Sequence, residues 1–231
     1  PLRYDSTKGA GLLNTGSSNG TISIGEQRVR LNKLQVANTL TGATGGPGVQ
    51  CSQSTNIWDK LIVEGTYKGT SLSLGIGNIS GTAGIVKNCI FIQRGSGADH
   101  IFATNLGSMT MFNCTLVAPD NLATAPTRVF AAGASGTPTV QNSCIFAGDS
   151  TKAIVTTTGA TYTFTTCESD ISGTAGVTQV TYDKEFFNIL DGTHDYRMKL
   201  GASGQGAGTT DATNAATDIV NTSRPVGTGY D

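Results

Sequence analysis

Arg94, Asp99 and His100 lie close together in the chain and are the residues best suited by type to chemistry. An Asp beside a His can orient the imidazole for proton transfer, and an arginine can meet a developing negative charge. Arg128, and the pair Asp149 and Lys152, would fall on neighbouring turns of a repeating fold. No motif forces these groups together, and an isolated Asp-His in a Gly-rich corner reads first as surface hydrogen bonding. His194 with Asp195 is a second such pair, near the C-terminus. Hydrolysis of a glycosidic bond needs two converging carboxyls. The strand-like stretches carry Asp59 and, far along the chain, Glu168 and Asp170, too distant from Asp59 to bracket one bond. No catalytic residue is therefore expected, with Arg94, Asp99 and His100 the candidates should the protein be an enzyme.

Other chemistries find little support. The Gly-rich stretch Thr39 to Gly48 lacks the Lys-Ser or Lys-Thr that a phosphate-binding loop requires. The five cysteines are odd in number and form no CxxC, so neither a zinc motif nor a dithiol motif is present, and no metal or cofactor is expected. The single Trp, Trp58, would be core or a sugar platform depending on strand register. A net charge of -1 predicts no broad attraction to nucleic acid or to an anionic membrane. No apolar run is long enough to span a bilayer.

The elements that would position these residues recur. Ile85-Val86-Lys87-Asn88-Cys89-Ile90-Phe91-Ile92 is echoed by Met109 to Val117 and by Val140 to Phe146, with weaker copies at Leu31 to Val36, Ile57 to Val63 and Tyr162 to Cys167. The small apolar residues Leu34, Leu61, Cys89, Cys114, Cys144 and Cys167 mark them, at intervals of 27, 28, 25, 30 and 23 residues. That period signals a solenoid. Each copy reads as a strand, with shorter strand-like runs at Ser71 to Leu74, His100 to Ala103, Arg128 to Ala131 and Lys152 to Val155 between them. Gly-rich corners and 13% charged residues suit such a fold. The expected architecture is an all-β, single-stranded, right-handed parallel β-helix.

Within it, Cys89, Cys114, Cys144 and Cys167 are expected to form an inward ladder of free thiols, which fits folding in a reducing cytosol. Asn88, Asn113 and Asn142 are expected to stack at one corner, where Asn tolerates left-handed backbone and its amide can bond the next coil. The loop Pro119 to Pro126 would protrude. Residues 1–27 fall outside the repeat and are read as an N-terminal arm and cap with one short strand at Thr21 to Ile24, 28–183 as the coils, and 184–231 as a C-terminal cap and tail.

The repeat resembles the pectate-lyase-like superfamily of β-helix proteins. Asp195-Tyr196-Arg197-Met198-Lys199-Leu200-Gly201, followed by Asp218-Ile219-Val220, Arg224-Pro225-Val226-Gly227 and Gly229-Tyr230-Asp231, resembles the closing segment of bacterial and phage β-helix repeat proteins. The resemblance implies a fold that hosts lyases, hydrolases, tailspikes and inert structural parts alike. The expected function is a non-enzymatic structural protein, a phage virion decoration (cement) or tail-associated protein. It would assemble as a homotrimer on a larger body such as a capsid, located in the virion and assembled in the host cytoplasm. The alternative is an extracellular polysaccharide lyase, hydrolase or glycan-binding spike.

Overall fold

The computed structural model describes residues 11–14, 22–38, 48–66, 77–79, 83–106, 108–156, 159–204 and 207–208. The chain is nearly all-β and winds as a parallel β-solenoid with three faces. The first sheet stacks Gly11–Asn14, Gln35–Asn38, Ile62–Gly65, Ile90–Gln93, Thr115–Val117, Cys144–Phe146, Cys167–Ser169 and Val177–Gln179 in that order. The second runs from Ile22–Ile24 to Ala153–Thr156 and the third from Arg30–Asn32 to Thr163–Thr165, each with six strands. The short runs expected around His100, Arg128 and Lys152 are strands of the second sheet; Ser71 to Leu74 lies outside the described residues.

Register aligns equivalent residues into columns. Val36, Val63, Phe91, Leu116 and Ile145 stack on the inner side of the first sheet, and Leu31, Trp58, Val86, Met111, Val140 and Phe164 on that of the third. Trp58 is thus core and not a sugar platform: it is fully buried, 6.3 Å from Phe91 and 6.1 Å from Phe102 between ring centroids. Gly77 leaves room for these rings, since a Cβ there would lie 2.5 Å from Phe102 and 2.8 Å from Phe91.

The corner between the third and first sheets explains the repeat. Lys33, Lys60, Asn88, Asn113, Asn142 and Thr166 all adopt left-handed backbone, with φ from 50 to 61°. The N–H groups of the first five donate to the next coil, as from Asn88 to Phe112 O at 3.0 Å and from Asn113 to Gln141 O at 3.1 Å. Asn is favoured here for backbone reasons. The expected ladder of amide side chains is not formed: Asn88 Nδ2 reaches Asp59 Oδ1 at 3.3 Å, while the Asn113 amide has no hydrogen-bond partner among the described residues. Thr166 is β-branched and so strained at this position. Thr166→Asn is expected to raise stability by about 0.5–1 kcal/mol, read from the urea midpoint; a decrease would show that the Thr side chain is needed.

The residue after this corner faces inward, which corrects the thiol ladder. Leu34, Leu61, Cys89, Cys114, Ser143 and Cys167 follow the left-handed residue, so Ser143 and not Cys144 fills the column. Cys114 Sγ donates to Phe112 O at 3.1 Å, and Ser143 Oγ to Gln141 O at 2.9 Å. Ser143 Oγ also accepts from the Cys114 N–H at 3.1 Å. Hydroxyl and thiol therefore play one role. Cys144 pairs with Thr115 and Glu168 and faces outward, half-buried. None of the five cysteines forms a disulfide.

Residues 11–14 and 22–24, inside the stretch read as an arm, are strands of the solenoid, paired with Gln35–Asn38 and Val49–Cys51. Residues 1–10 and 15–21 lie outside the described residues, as do Asp218 to Asp231 of the closing motif. Between Val180 and Gly204 the chain lies along the outer side of the first sheet. There the helix Tyr182–Glu185 and the antiparallel pair Phe186–Asn188 and Asp195–Met198 bury Tyr182, Phe186, Ile189 and Tyr196 against Ile90, Ile92, Val117 and Phe146.

Candidate functional site

Arg94 directly follows the strand Ile90–Gln93 and points at the C-terminal segment. Its Nη1 donates to Glu64 Oε1 at 2.9 Å, one coil back, and its Nε to Asp191 Oδ1 at 2.5 Å. Burial opposes the guanidinium charge, but Asp191 and Glu64 outweigh it and raise the Arg94 pKa above its ordinary value. His194 Nε2 lies 3.5 Å from Glu64 Oε2, and the His194 ring stacks on Tyr196 with centroids 5.4 Å apart. The loop Pro119 to Pro126 joins this junction: Asp120 N–H donates to Ile189 O at 3.0 Å, and Asp191 N–H to Asn121 Oδ1 at 2.6 Å. Arg94 is the ionic clamp between solenoid and C-terminal segment.

Asp99 and His100 do sit together, but with a different arginine. Asp99 Oδ1 accepts from Arg128 Nη2 at 2.6 Å, and Oδ2 lies 3.1 Å from His100 Nδ1. Burial alone would raise the Asp99 pKa; hydrogen bonds from Arg128 and His100 outweigh it and hold the carboxyl below the ordinary range. The Arg128 N–H also donates to Asp99 O at 3.1 Å. The cluster braces one coil on the next, and the fully buried His100 ring is closed to substrate. Arg94 and Asp99, neighbours in sequence, thus serve separate junctions.

The remaining candidates are local. Lys152 Nζ lies 3.4 Å from Asp149 Oδ2 within one turn, and the Thr151 hydroxyl and N–H lower the Asp149 pKa. His194 and Asp195 do not form a dyad, since Asp195 pairs with Arg197. Asp59 is held by Arg30 at 2.8 Å. Asp170 Oδ1 accepts from the Ala147 N–H at 3.1 Å, and burial raises its pKa.

One carboxyl pair was not visible in the sequence. Glu168, on the first sheet, and Glu185, at the end of the helix, are both buried. Burial first, and the Glu185 charge second, push Glu168 up to about 7. A carboxyl of raised pKa beside a second carboxyl is a pattern used in glycoside hydrolysis. The adjoining cavity, lined by Ser143, Cys144, Glu168, Met198 and Gly204 among others, holds only about 30 Å³. That is water-sized, not sugar-sized. No spacing rule links residue 168 to 185; only the path of the C-terminal segment does.

A larger groove of about 620 Å³ lies at the last strands of the second and third sheets, against Ile154, Tyr162, Phe164 and Ile171. Among the described residues its ionisable lining is Lys152 and Tyr162, with no carboxyl pair. Tyr162 Oη lies 2.5 Å from the Thr104 hydroxyl, and burial raises the Tyr162 pKa. Among the described residues no group of three or more His, Cys, Asp or Glu is placed to hold a metal ion, and no helix is long and apolar enough to cross a membrane. A scan of protein-family models found no match to this chain, and neither did searches of curated proteins and of solved structures.

Proposed function

We propose that the protein is a structural building block, a solenoid that attaches to a larger protein assembly in the manner of a virion decoration or tail-associated protein. The observation that carries this reading is the employment of its charged residues. Arg94, Glu64 and Asp191 hold the C-terminal segment to the first sheet, and Asp99 and Arg128 hold coil to coil. The groups that chemistry would call on are thus engaged in bracing. Phe187, Leu190 and Leu200 stand exposed on the C-terminal segment and offer apolar surface to a partner. A right-handed coil sense, membership of the pectate-lyase-like superfamily and trimeric assembly belong to the same proposal, by resemblance.

Density-gradient sedimentation of a lysate of the producing cells tests it. The expected result is co-migration with large particles at a fixed stoichiometry. A free, small species that also cleaves polysaccharide would overturn it.

A further inference from the structure

The Glu168 and Glu185 side chains meet where the C-terminal segment crosses the last coils. Glu168 sits opposite Cys144 on one side and Thr178 on the other, 6% exposed. Glu185 is 1% exposed. Both of its oxygens already accept hydrogen bonds: Oε1 from the Ser203 N–H at 3.2 Å and hydroxyl at 2.9 Å, Oε2 from the Gly204 N–H at 3.2 Å. Gly204 touches the other carboxyl as well, because a Cβ there would lie 2.5 Å from Glu168 Oε2. A side chain at position 204 would have to displace the Met198 methyl and the Glu168 carboxyl.

The titratable groups nearest Glu168 are Glu185 from the helix, Cys144 from the neighbouring strand and Cys167, which precedes it on its own strand and faces the opposite way. Met198 and Gly204, which cover it, carry no charge. No Lys, Arg or His forms an ion pair with either carboxyl among the described residues. Two buried carboxyls without a cation are stable only if one keeps its proton. Glu185 is surrounded by donors, whereas Glu168 Oε2 is buried and meets none among the described residues, so the proton belongs on Glu168.

We propose that this pair is a proton-dependent latch: neutral Glu168 lets the C-terminal segment lie on the solenoid, and its ionisation releases the Ser203–Gly204 end. Docking raises the Glu168 pKa from 4.5 to about 7, through burial and then the Glu185 charge. The docked form is therefore most favoured below the lower value and loses stability as pH climbs through the upper one. Release takes up no proton and frees one, so the docking constant falls by up to about tenfold per pH unit inside that window.

Amide hydrogen exchange of Ser203 and Gly204 in the full chain, corrected for intrinsic rates, reads the latch between about pH 5 and 8. Protection is expected to fall at least about tenfold across that range and to stay level in Glu168→Gln. Level protection in the unaltered chain, or the same fall in the variant, would overturn the proposal. Carbon-13 titration of the Glu168 carboxyl in the unaltered chain covers the case in which Glu168→Gln does not fold. A midpoint near 7 is expected, and a midpoint in the ordinary glutamate range would overturn the latch.

Discussion

Phe91→Ala is expected to lower the unfolding free energy by about 3–5 kcal/mol. Phe91 is fully buried, and its ring meets Phe102 edge-on with centroids 5.0 Å apart and Trp58 at 6.3 Å. Phe102 in turn packs on Phe130 at 6.3 Å, so one chain of rings links the first, second and third sheets. Truncation removes both the burial of the ring and the edge contacts, and the strands around it cannot close the gap without breaking register. Urea unfolding followed by the fluorescence of Trp58, the single tryptophan, measures the loss. A change below about 1 kcal/mol would mean that the surrounding core collapses freely onto the site. A solenoid couples each coil only to its neighbours. The same experiment should therefore show a shallower transition, as the coils on either side of Phe91 lose cooperativity.

The second large effect is expected at Arg94. Arg94→Met keeps most of the side-chain volume but leaves Glu64 and Asp191 without the guanidinium that joins them. Glu64 is largely buried, so the loss is expected to be about 2–3 kcal/mol, below the range for a fully buried pair because the Arg94 side chain is 30% exposed. Arg94→Lys should recover only part, since one ammonium cannot fork between two carboxylates as a guanidinium does. The loss should be local. Amides between residues 186 and 198 should exchange faster in Arg94→Met, while those of the inner columns keep their protection. Uniform loss of protection would show that the C-terminal segment and the solenoid unfold as one unit.

Much of the fold is legible in the residues, and the exceptions have physical causes. The period of about 27 residues is a property of the backbone: each coil needs the same left-handed corner, and Asn88, Asn113 and Asn142 announce it. The position of the thiol ladder is less legible, because in the four later coils the residue after the corner is small and carries a donor directed at the carbonyl two residues earlier. Serine meets both needs, so Ser143 replaces cysteine and Cys144 is displaced to the outer side. The strand at Gly11–Asn14 is four residues long and carries no corner signature of its own, whereas the short alternation of Thr21 to Ile24 marks the strand at Ile22–Ile24.

The docking of the C-terminal segment did leave a mark. Ile90-Phe91-Ile92 and Leu116-Val117 are apolar without alternation, which signals a strand buried on both sides. Phe91 and Leu116 fill the interior; Ile90, Ile92 and Val117 wait for Tyr182, Phe186 and Tyr196. What the sequence could not disclose is which charges would meet. Arg94 finds Asp191 across 97 residues, and Glu168 finds Glu185, only because that segment folds back over the sheet.

The charged groups of this chain brace its coils, and the Asp99–Arg128 contact at 2.6 Å is the cleanest instance. A double-mutant cycle with Asp99→Asn, Arg128→Met and the combined variant, each measured by urea unfolding, isolates that contact. The predicted coupling is about 1–2 kcal/mol in favour of the pair. Additivity within about 0.3 kcal/mol would contradict the claim, and would return Asp99 and His100 to the set of residues kept for chemistry.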